Sequence, residues 1–317
     1  MDTGSHRTLL FGRGLLGSAI LRAVRPDATS RTLCVAAAVP WHDKPTAVAA
    51  VREHVGSLLS SESPRYDIYW CAGRATPRGD GSLADDEVNY FESLMAELEK
   101  ASPEQRVRVR VFVASSAGAL YATSNDLAAT ETTPVEVRDS YGAAKARIES
   151  VAVECAYRMD FGLVVGRISS LFGPGQSLDK PQGLLNHVAW SVLTRQPVVI
   201  HVDRMSTRNY LHVADAADLA AECMGSCQAS EIRIQNVCSH RHYSIAEIIQ
   251  IAERSFARRA NVVYVGSGIR SDLRVTSDRP ELIRRHSRRS LASGFGGIAT
   301  DLRIQFGRSG GTWRKTA

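Results

Sequence analysis

The sequence predicts an α/β fold: a doubly wound parallel sheet with a smaller C-terminal α/β region. Three observations lead there. Strand-like and helix-like segments alternate over the first 170 residues, the pattern of a parallel sheet covered by helices on both faces. A glycine-rich stretch, Gly12-x-Gly14-x-x-Gly17, falls between the first strand and the first helix. Further on, an apolar strand runs into Ser115-Ser116, and a helix follows with Tyr141 and Lys145 four residues apart.

Taken in order, residues 7–13 read as a strand entering a turn. Leu15 and Leu16 open a helix that stops before Pro26. The glycines between them permit a tight turn and let a pyrophosphate approach the helix N-terminus, the feature that makes the predicted sheet Rossmann-type. Residues 32–38 form a second strand, and Pro40 and Pro45 separate it from a helix over 46–59. Residues 66–72 form a third strand ending in Cys71-Ala72-Gly73, followed by a helix over 83–100. The β-branched and aromatic residues of 107–114 predict the next strand. The Ala, Lys, Arg and Glu of 142–158 predict the helix that carries Lys145. A strand over 162–168 closes this part.

Past Ser170 the pattern changes. Phe172-Gly173-Pro174-Gly175 reads as a turn and 180–183 as a loop, before a helix over 184–194 and a short strand over 197–202. Asp215 is expected to cap a helix to Met224, 232–237 to form a strand, and Ser244 to cap a helix to Phe256. Beyond Ser290 the chain is rich in Gly, Ser and Arg, and the sequence leaves its order open. The expected domains are a dinucleotide-binding domain over 1–170 and a mainly substrate-binding domain over 171–317. Parts of 203–240 are expected to return to the first.

Composition narrows the class. The 317 residues are 44% hydrophobic and 23% charged, as in ordinary water-soluble proteins. No run of eighteen apolar residues is present, and residues 1–8 are polar, so neither a spanning helix nor a secretory leader is expected. The six cysteines, at 34, 71, 155, 223, 227 and 238, form no CxxC and suit the reducing cytoplasm. Cys223 and Cys227 lack further ligands at zinc-like spacing and read as buried thiols, so no metal is expected. Residues 251–317 hold 14 Lys+Arg against 5 Asp+Glu, a basic part that suits an acidic small substrate. No nucleic-acid motif accompanies it, and no nucleic-acid partner is expected.

The chemistry lies in Tyr141-Gly142-Ala143-Ala144-Lys145. Residues four apart on a helix share a face, and an ammonium held there favours the phenolate. A tyrosine so placed can act as acid or base, and a serine hydroxyl from the neighbouring strand can bond the same substrate oxygen. That device moves a proton to or from a carbonyl or carbinol.

Over residues 7–285 the chain resembles the extended short-chain dehydrogenases/reductases of the NAD-dependent epimerase/dehydratase type. The matching pieces are the glycine turn, Asn89 in the helix after Cys71-Ala72-Gly73, Ser115-Ser116 and Tyr141-x-x-x-Lys145. Further on come Arg167-Ile168-Ser169-Ser170-Leu171-Phe172-Gly173-Pro174 and Arg208-Asn209-Tyr210-Leu211-His212-Val213-Ala214-Asp215. The resemblance implies a nucleotide-sugar substrate and a homodimer. It implies that Tyr141 is the acid/base and that Lys145 serves both the tyrosine and the nicotinamide ribose. Gly12, Arg13, Gly14, Leu15, Leu16, Gly17, Cys71, Ala72 and Gly73 would line the cofactor. Ser170, Asn186, His187 and Arg208 would contact the substrate, Arg208 at its diphosphate.

The sequence also departs from the family. Phe11 stands at the first glycine of the usual turn, and Ala117 at the usual catalytic hydroxyl, which leaves Ser115 or Ser116 to supply it. Gly118 and Ala119 stand where dehydratases carry an acidic pair. Ala119 also replaces the cysteine of reductases that epimerise next to the carbonyl. No acid ends the second strand, where NAD enzymes hold the ribose 2′-hydroxyl; the nearest is Asp43. With Arg13 in the turn, this favours NADP, with NAD the alternative. The leading expectation is reduction of a 4-keto-deoxy sugar nucleotide. A 4-epimerase that retains NAD and a non-catalytic dinucleotide-binding protein are the alternatives.

Overall fold

A computed structural model describes residues 6–24, 32–77, 79, 81–121, 128–176, 178, 183–265 and 270–308. The expectations for residues 1–5, the stop at Pro26, the loop residues 122–127 and 180–182, and the tail from 309 lie outside them. In chain order the elements are β1 (Arg7–Phe11), α1 (Leu15–Ala23), β2 (Leu33–Ala36), α2 (Lys44–Ser60), β3 (Tyr66–Trp70) and α3 (Gly81–Leu98). Then come α4 (Pro103–Arg106), β4 (Val109–Ser116), α5 (Ala117–Leu120), α6 (Ser140–Met159), β5 (Gly162–Ile168), β6 (Ser170–Phe172) and α7 (Leu184–Thr194). The chain continues through β7 (Val198–Ile200), β8 (Thr207–His212), α8 (Val213–Ser226), β9 (Ile232–Val237) and β10 (His242–Ser244). It ends in α9 (Ile245–Phe256), β11 (Val262–Tyr264), α10 (Pro280–His286) and α11 (Leu291–Arg308).

The chain divides into two compact units. The first comprises Met1–Tyr121, Thr133–Ile168 and Ala217–Asn236. Its six-stranded sheet has the order β2-β1-β3-β4-β5-β9, with β2 through β5 parallel and β9 at the far edge. One register row, Val35–Leu9–Ile68–Val111–Leu163, crosses five strands. All but the edge residue Val35 are buried, as in a sheet covered on both faces. Val51 and Val55 of α2, Phe91 and Leu94 of α3, and Ile148 and Ala152 of α6 pack with the sheet in one core. The predicted strand at 107–114 starts two residues later, because Ser102 and Gln105 form a capping box that holds α4 up to Arg106. Both Ser115 and Ser116 therefore lie within β4.

The second unit comprises Ala122–Thr132, Ser169–Ala216 and Val237–Ala317. Its sheet has the order β10-β8-β6, antiparallel on one side of β8 and parallel on the other, and β7 pairs with β11. The predicted turn at 172–175 is preceded by the short strand β6. Phe172, Leu185, Val188, Ile245, Ile248, Phe295, Ile298 and Leu302 share its core.

One point the sequence left open is decided here, and one expectation is corrected. Residues past Ser290 form α11, because Leu291, Phe295, Ile298 and Leu302 recur at helical spacing and are all buried. Asp215 is not the cap of its helix: α8 starts at Val213, and the His212 ring accepts the Ala214 N–H at 3.1 Å. Asp215 is instead fully buried, where its carboxylate accepts the N–H groups of Arg288 (3.1 Å) and Arg289 (2.8 Å) and pairs with the Arg289 guanidinium.

Candidate active site

In the first unit the glycine turn is enforced by the chain itself at two positions. Gly12 has φ +88°, and a Cβ there would lie 2.4 Å from the Ala72 nitrogen. A Cβ on Gly17 would lie 1.9 Å from the Gly12 carbonyl oxygen. Gly14 differs: nothing lies within 4 Å of where its Cβ would be, so no protein atom demands a glycine. It caps α1 without a side-chain hydrogen bond, and the helix opens with Leu15 and Leu16. Arg13 is exposed, and its carbonyl accepts the Ser18 hydroxyl at 3.0 Å. Cys71 continues the β3 pairing by donating its N–H to Phe11 at 2.8 Å, which sets Ala72 and Gly73 beside the turn. Burial pushes the Cys71 thiol up to about 12, against the pull of Lys145, so it stays protonated.

Tyr141 and Lys145 lie in the first two turns of α6, whose start is fixed by Asp139 accepting the Gly142 N–H at 2.7 Å. Lys145 is 6% exposed. Its Nζ lies 5.6 Å from the centre of the half-buried Tyr141 ring and 3.4 Å from Oε2 of Glu87. Burial works against this charge, but Tyr141 and Glu87 outweigh it and hold the Lys145 pKa above the usual lysine value.

The two serines part company. The Ser115 hydroxyl is buried and donates to Glu149 Oε1 at 2.5 Å. Glu149 also pairs with Arg167 (2.9 Å), Arg167 donates to the Tyr121 hydroxyl (3.0 Å), and Tyr121 donates to Asn236 (2.8 Å). Burial opposes the Arg167 charge and Glu149 more than offsets it, so the guanidinium keeps its proton. Ser116 is half-buried at the last position of β4, and its side chain makes no cap bond to α5.

The second unit holds the remaining candidates. Asn186, in the first turn of α7, is 1% exposed, and among the described residues neither Oδ1 nor Nδ2 has a hydrogen-bond partner. His187 beside it is half-buried. Ser170 opens β6. The Ser169 hydroxyl before it is buried and also without a partner among the described residues. Arg208 of β8 donates to the Ser271 carbonyl and to the Ser271 hydroxyl at 3.0 Å, and it forms no ion pair among the described residues. Burial lowers its pKa. Its neighbour Asn209 is structural: the buried amide bonds the backbone of Ser239 and Arg241.

The sequence matches the model of the NAD dependent epimerase/dehydratase family over residues 12–246. This chain belongs to that family. Solved structures with the same fold include the UDP-glucose 4-epimerase of Thermus thermophilus in complex with NAD, 18% identical, with a TM-score of 0.75 over 94% of this chain and 99% of that one. The UDP-glucuronic acid 4-epimerase of Bacillus cereus, in complex with UDP-glucuronic acid and NAD, is 15% identical, with a TM-score of 0.76 over 94% and 99%. The dTDP-glucose 4,6-dehydratase of Bacillus anthracis, in complex with NAD, is 14% identical, with a TM-score of 0.75 over 96% and 98%.

As a member of the NAD dependent epimerase/dehydratase family the chain is an enzyme of the short-chain dehydrogenase/reductase type. The first unit fits a dinucleotide. The space over Gly14 is clear, and the start of α1 suits a pyrophosphate. Asn89 lies in α3, as the resemblance places it; it is exposed and donates to its own helix at the Asp85 carbonyl (2.8 Å). The residue that α3 turns toward Lys145 is Glu87, two positions earlier. Sequence reasoning missed it, although a signal existed. Ala84, Glu87, Phe91, Leu94 and Leu98 recur at helical spacing, which places one carboxylate in an apolar stripe.

Proposed function

We propose that the protein reduces the keto group of a 4-keto-deoxy sugar nucleotide with NADPH. The observation that carries this reading is the buried Lys145 ammonium beside the Tyr141 ring, in the unit that holds the glycine turn. Gly12, Arg13, Gly14, Leu15, Leu16, Gly17, Cys71, Ala72 and Gly73 would hold the dinucleotide, which supplies the hydride when bound. Tyr141 holds the proton delivered to the carbonyl oxygen, and Lys145 stabilises the phenolate left behind. Ser116 supplies the second hydroxyl, because Ser115 is committed to Glu149. The exposed Arg13 and the β2 end without a carboxylate favour a 2′-phosphate. Asp43, the nearest acid, accepts a hydrogen bond from Thr46.

The substrate class is supported by the second unit and by the company the fold keeps. Among the described residues, Asn186 is a buried amide with no hydrogen-bond partner, and Arg208 is a cation that forms no ion pair. Both suit a sugar diphosphate with Ser170 and His187 as further contacts. Gly118 and Ala119 offer no acid for a dehydration step. A second reading, 4-epimerisation with tightly held NAD, is favoured by the 4-epimerases among the structural neighbours, one crystallised with NAD and another with UDP-glucuronic acid and NAD.

The test is a purified preparation, its co-purifying dinucleotide identified by mass, and NADPH oxidation over a panel of 4-keto-deoxy sugar nucleotides. A reductase oxidises NADPH with one of them and purifies empty. Firmly bound NAD, with interconversion of UDP-sugars and no net oxidation, replaces it by the epimerase. Arg208→Ala is expected to weaken UDP or dTDP binding by about 1.5–3 kcal/mol, as for a hydrogen bond to a charged group. Unchanged affinity for both sinks the nucleotide-sugar assignment.

A further inference from the structure

Glu87 is the unexpected group of the first unit. It is 5% exposed, in the middle of α3. A carboxylate that deep needs partners, and it has three. Oε1 accepts the N–H groups of Arg74 and of Ala75, the latter at 2.6 Å, and Oε2 faces Lys145 Nζ at 3.4 Å. Gly73 lies between these partners: a Cβ there would be 3.3 Å from both carboxylate oxygens and 3.4 Å from Nζ. One side chain thus joins the segment after β3 to the lysine of α6.

We propose that Glu87 is a positioning residue: it fixes the Lys145 ammonium and ties it to the segment 73–75, so that the lysine stays charged where the dinucleotide is held. The proposal rests on the dinucleotide reading above. The groups that face Lys145 are Tyr141 from its own helix, Glu87 from α3 and Cys71 from the end of β3. The Cys71 thiol is protonated at neutral pH. Tyr141 carries charge only as the phenolate. Glu87 is therefore the carboxylate that compensates the ammonium. Without it, burial acts on Lys145 with less opposition, and the proton leaves at lower pH.

The experiment titrates Lys145 directly. The chain has five lysines, so protein labelled with ¹³C-lysine gives a short spectrum, and Lys145→Arg assigns the signal. Glu87→Gln is expected to move the Lys145 midpoint to lower pH, while the exposed Asn89→Ala leaves it in place. Glu87→Asp keeps the charge but draws it back by one methylene, so it covers the case in which Glu87→Gln does not fold; its midpoint is expected to fall as well. An unmoved midpoint in the folded variants overturns the proposal. A second arm measures NADPH affinity against pH by nicotinamide fluorescence. In Glu87→Gln affinity is expected to drop about 10-fold, with its alkaline loss beginning at lower pH than in the parent. A uniform weakening with the parent's pH profile makes Glu87 a loop anchor alone and rejects the positioning role. If the parent binds neither NADPH nor NADH, the dinucleotide reading fails, while the lysine titration still decides whether Glu87 sets the charge.

Discussion

Successive side chains of a strand point to opposite faces, so Ser115 and Ser116 leave β4 in opposite directions. Ser115 enters the buried network of Glu149, Arg167, Tyr121 and Asn236, and Ser116 does not. Ser115→Ala should therefore lower stability by about 1–3 kcal/mol in urea unfolding, with turnover per folded molecule retained. Ser116→Ala should do the reverse: stability within about 0.5 kcal/mol and reduced turnover. Equal effects on both quantities would show that the roles are not divided this way. Tyr141→Phe keeps the ring beside Lys145 and removes the transferable proton. Turnover should fall ~10²–10⁴-fold while NADPH affinity, followed by fluorescence, holds. At this scale the sequence made Tyr141, Lys145 and the glycines legible, because their spacing is local. It left the two serines unresolved, because the partner that commits Ser115 lies in another helix. It did not single out Glu87, because motif matching does not weigh which face of a helix is buried.

Helices and strands were read by period, and the regular ones were legible: β5, α7 and β9 have the bounds the sequence predicts. The exception is α11. Gly294, Gly296 and Gly297 leave the order of the chain open, yet the apolar stripe beneath them decides the helix. The glycines are not equivalent. A Cβ on Gly294 would sit 2.2 Å from a carbon of the Phe172 ring, whereas nothing lies within 4 Å of one on Gly296. Gly296→Ala should raise the thermal midpoint, since alanine is favoured over glycine in a helix by about 1 kcal/mol. Gly294→Ala should lower it, because overpacking at about 1–3 kcal/mol exceeds that gain. Two shifts of the same sign in differential scanning calorimetry would contradict this packing. The Glu149–Arg167 pair offers a second test. Arg167→Met leaves a buried carboxylate uncompensated and should destabilise by about 3–5 kcal/mol.

For the molecule as a whole, pH acts through groups held neutral by the fold. Burial, with Arg274, holds the His242 pKa below the ordinary value of 6.5, although the Val275 backbone opposes it. The unfolded chain then binds a proton that the folded chain refuses. This contribution to stability is present above pH 6.5 and is lost as pH falls below it. Urea midpoints at pH 7.5 and 5.5 should therefore drop less in His242→Gln than in the parent; an equal drop would assign the effect to other groups. The α/β class and the parallel sheet were legible because strand–helix alternation is a property of the chain order itself. That part of 203–240 returns to the first unit was expected, but that β9 pairs with β5 at the sheet edge was not legible, since a strand's partner is set by the whole topology. Its position has a consequence for synthesis on the ribosome. β5 is buried along nearly its whole length, and β9 reaches it only after β6, α7, β7, β8 and α8 have been made. Until then the nascent sheet presents β5 as an apolar, unpaired edge, the kind of surface that recruits a second chain. A chaperone that shields strand edges would thus be needed most in the interval between translation of residue 168 and residue 237.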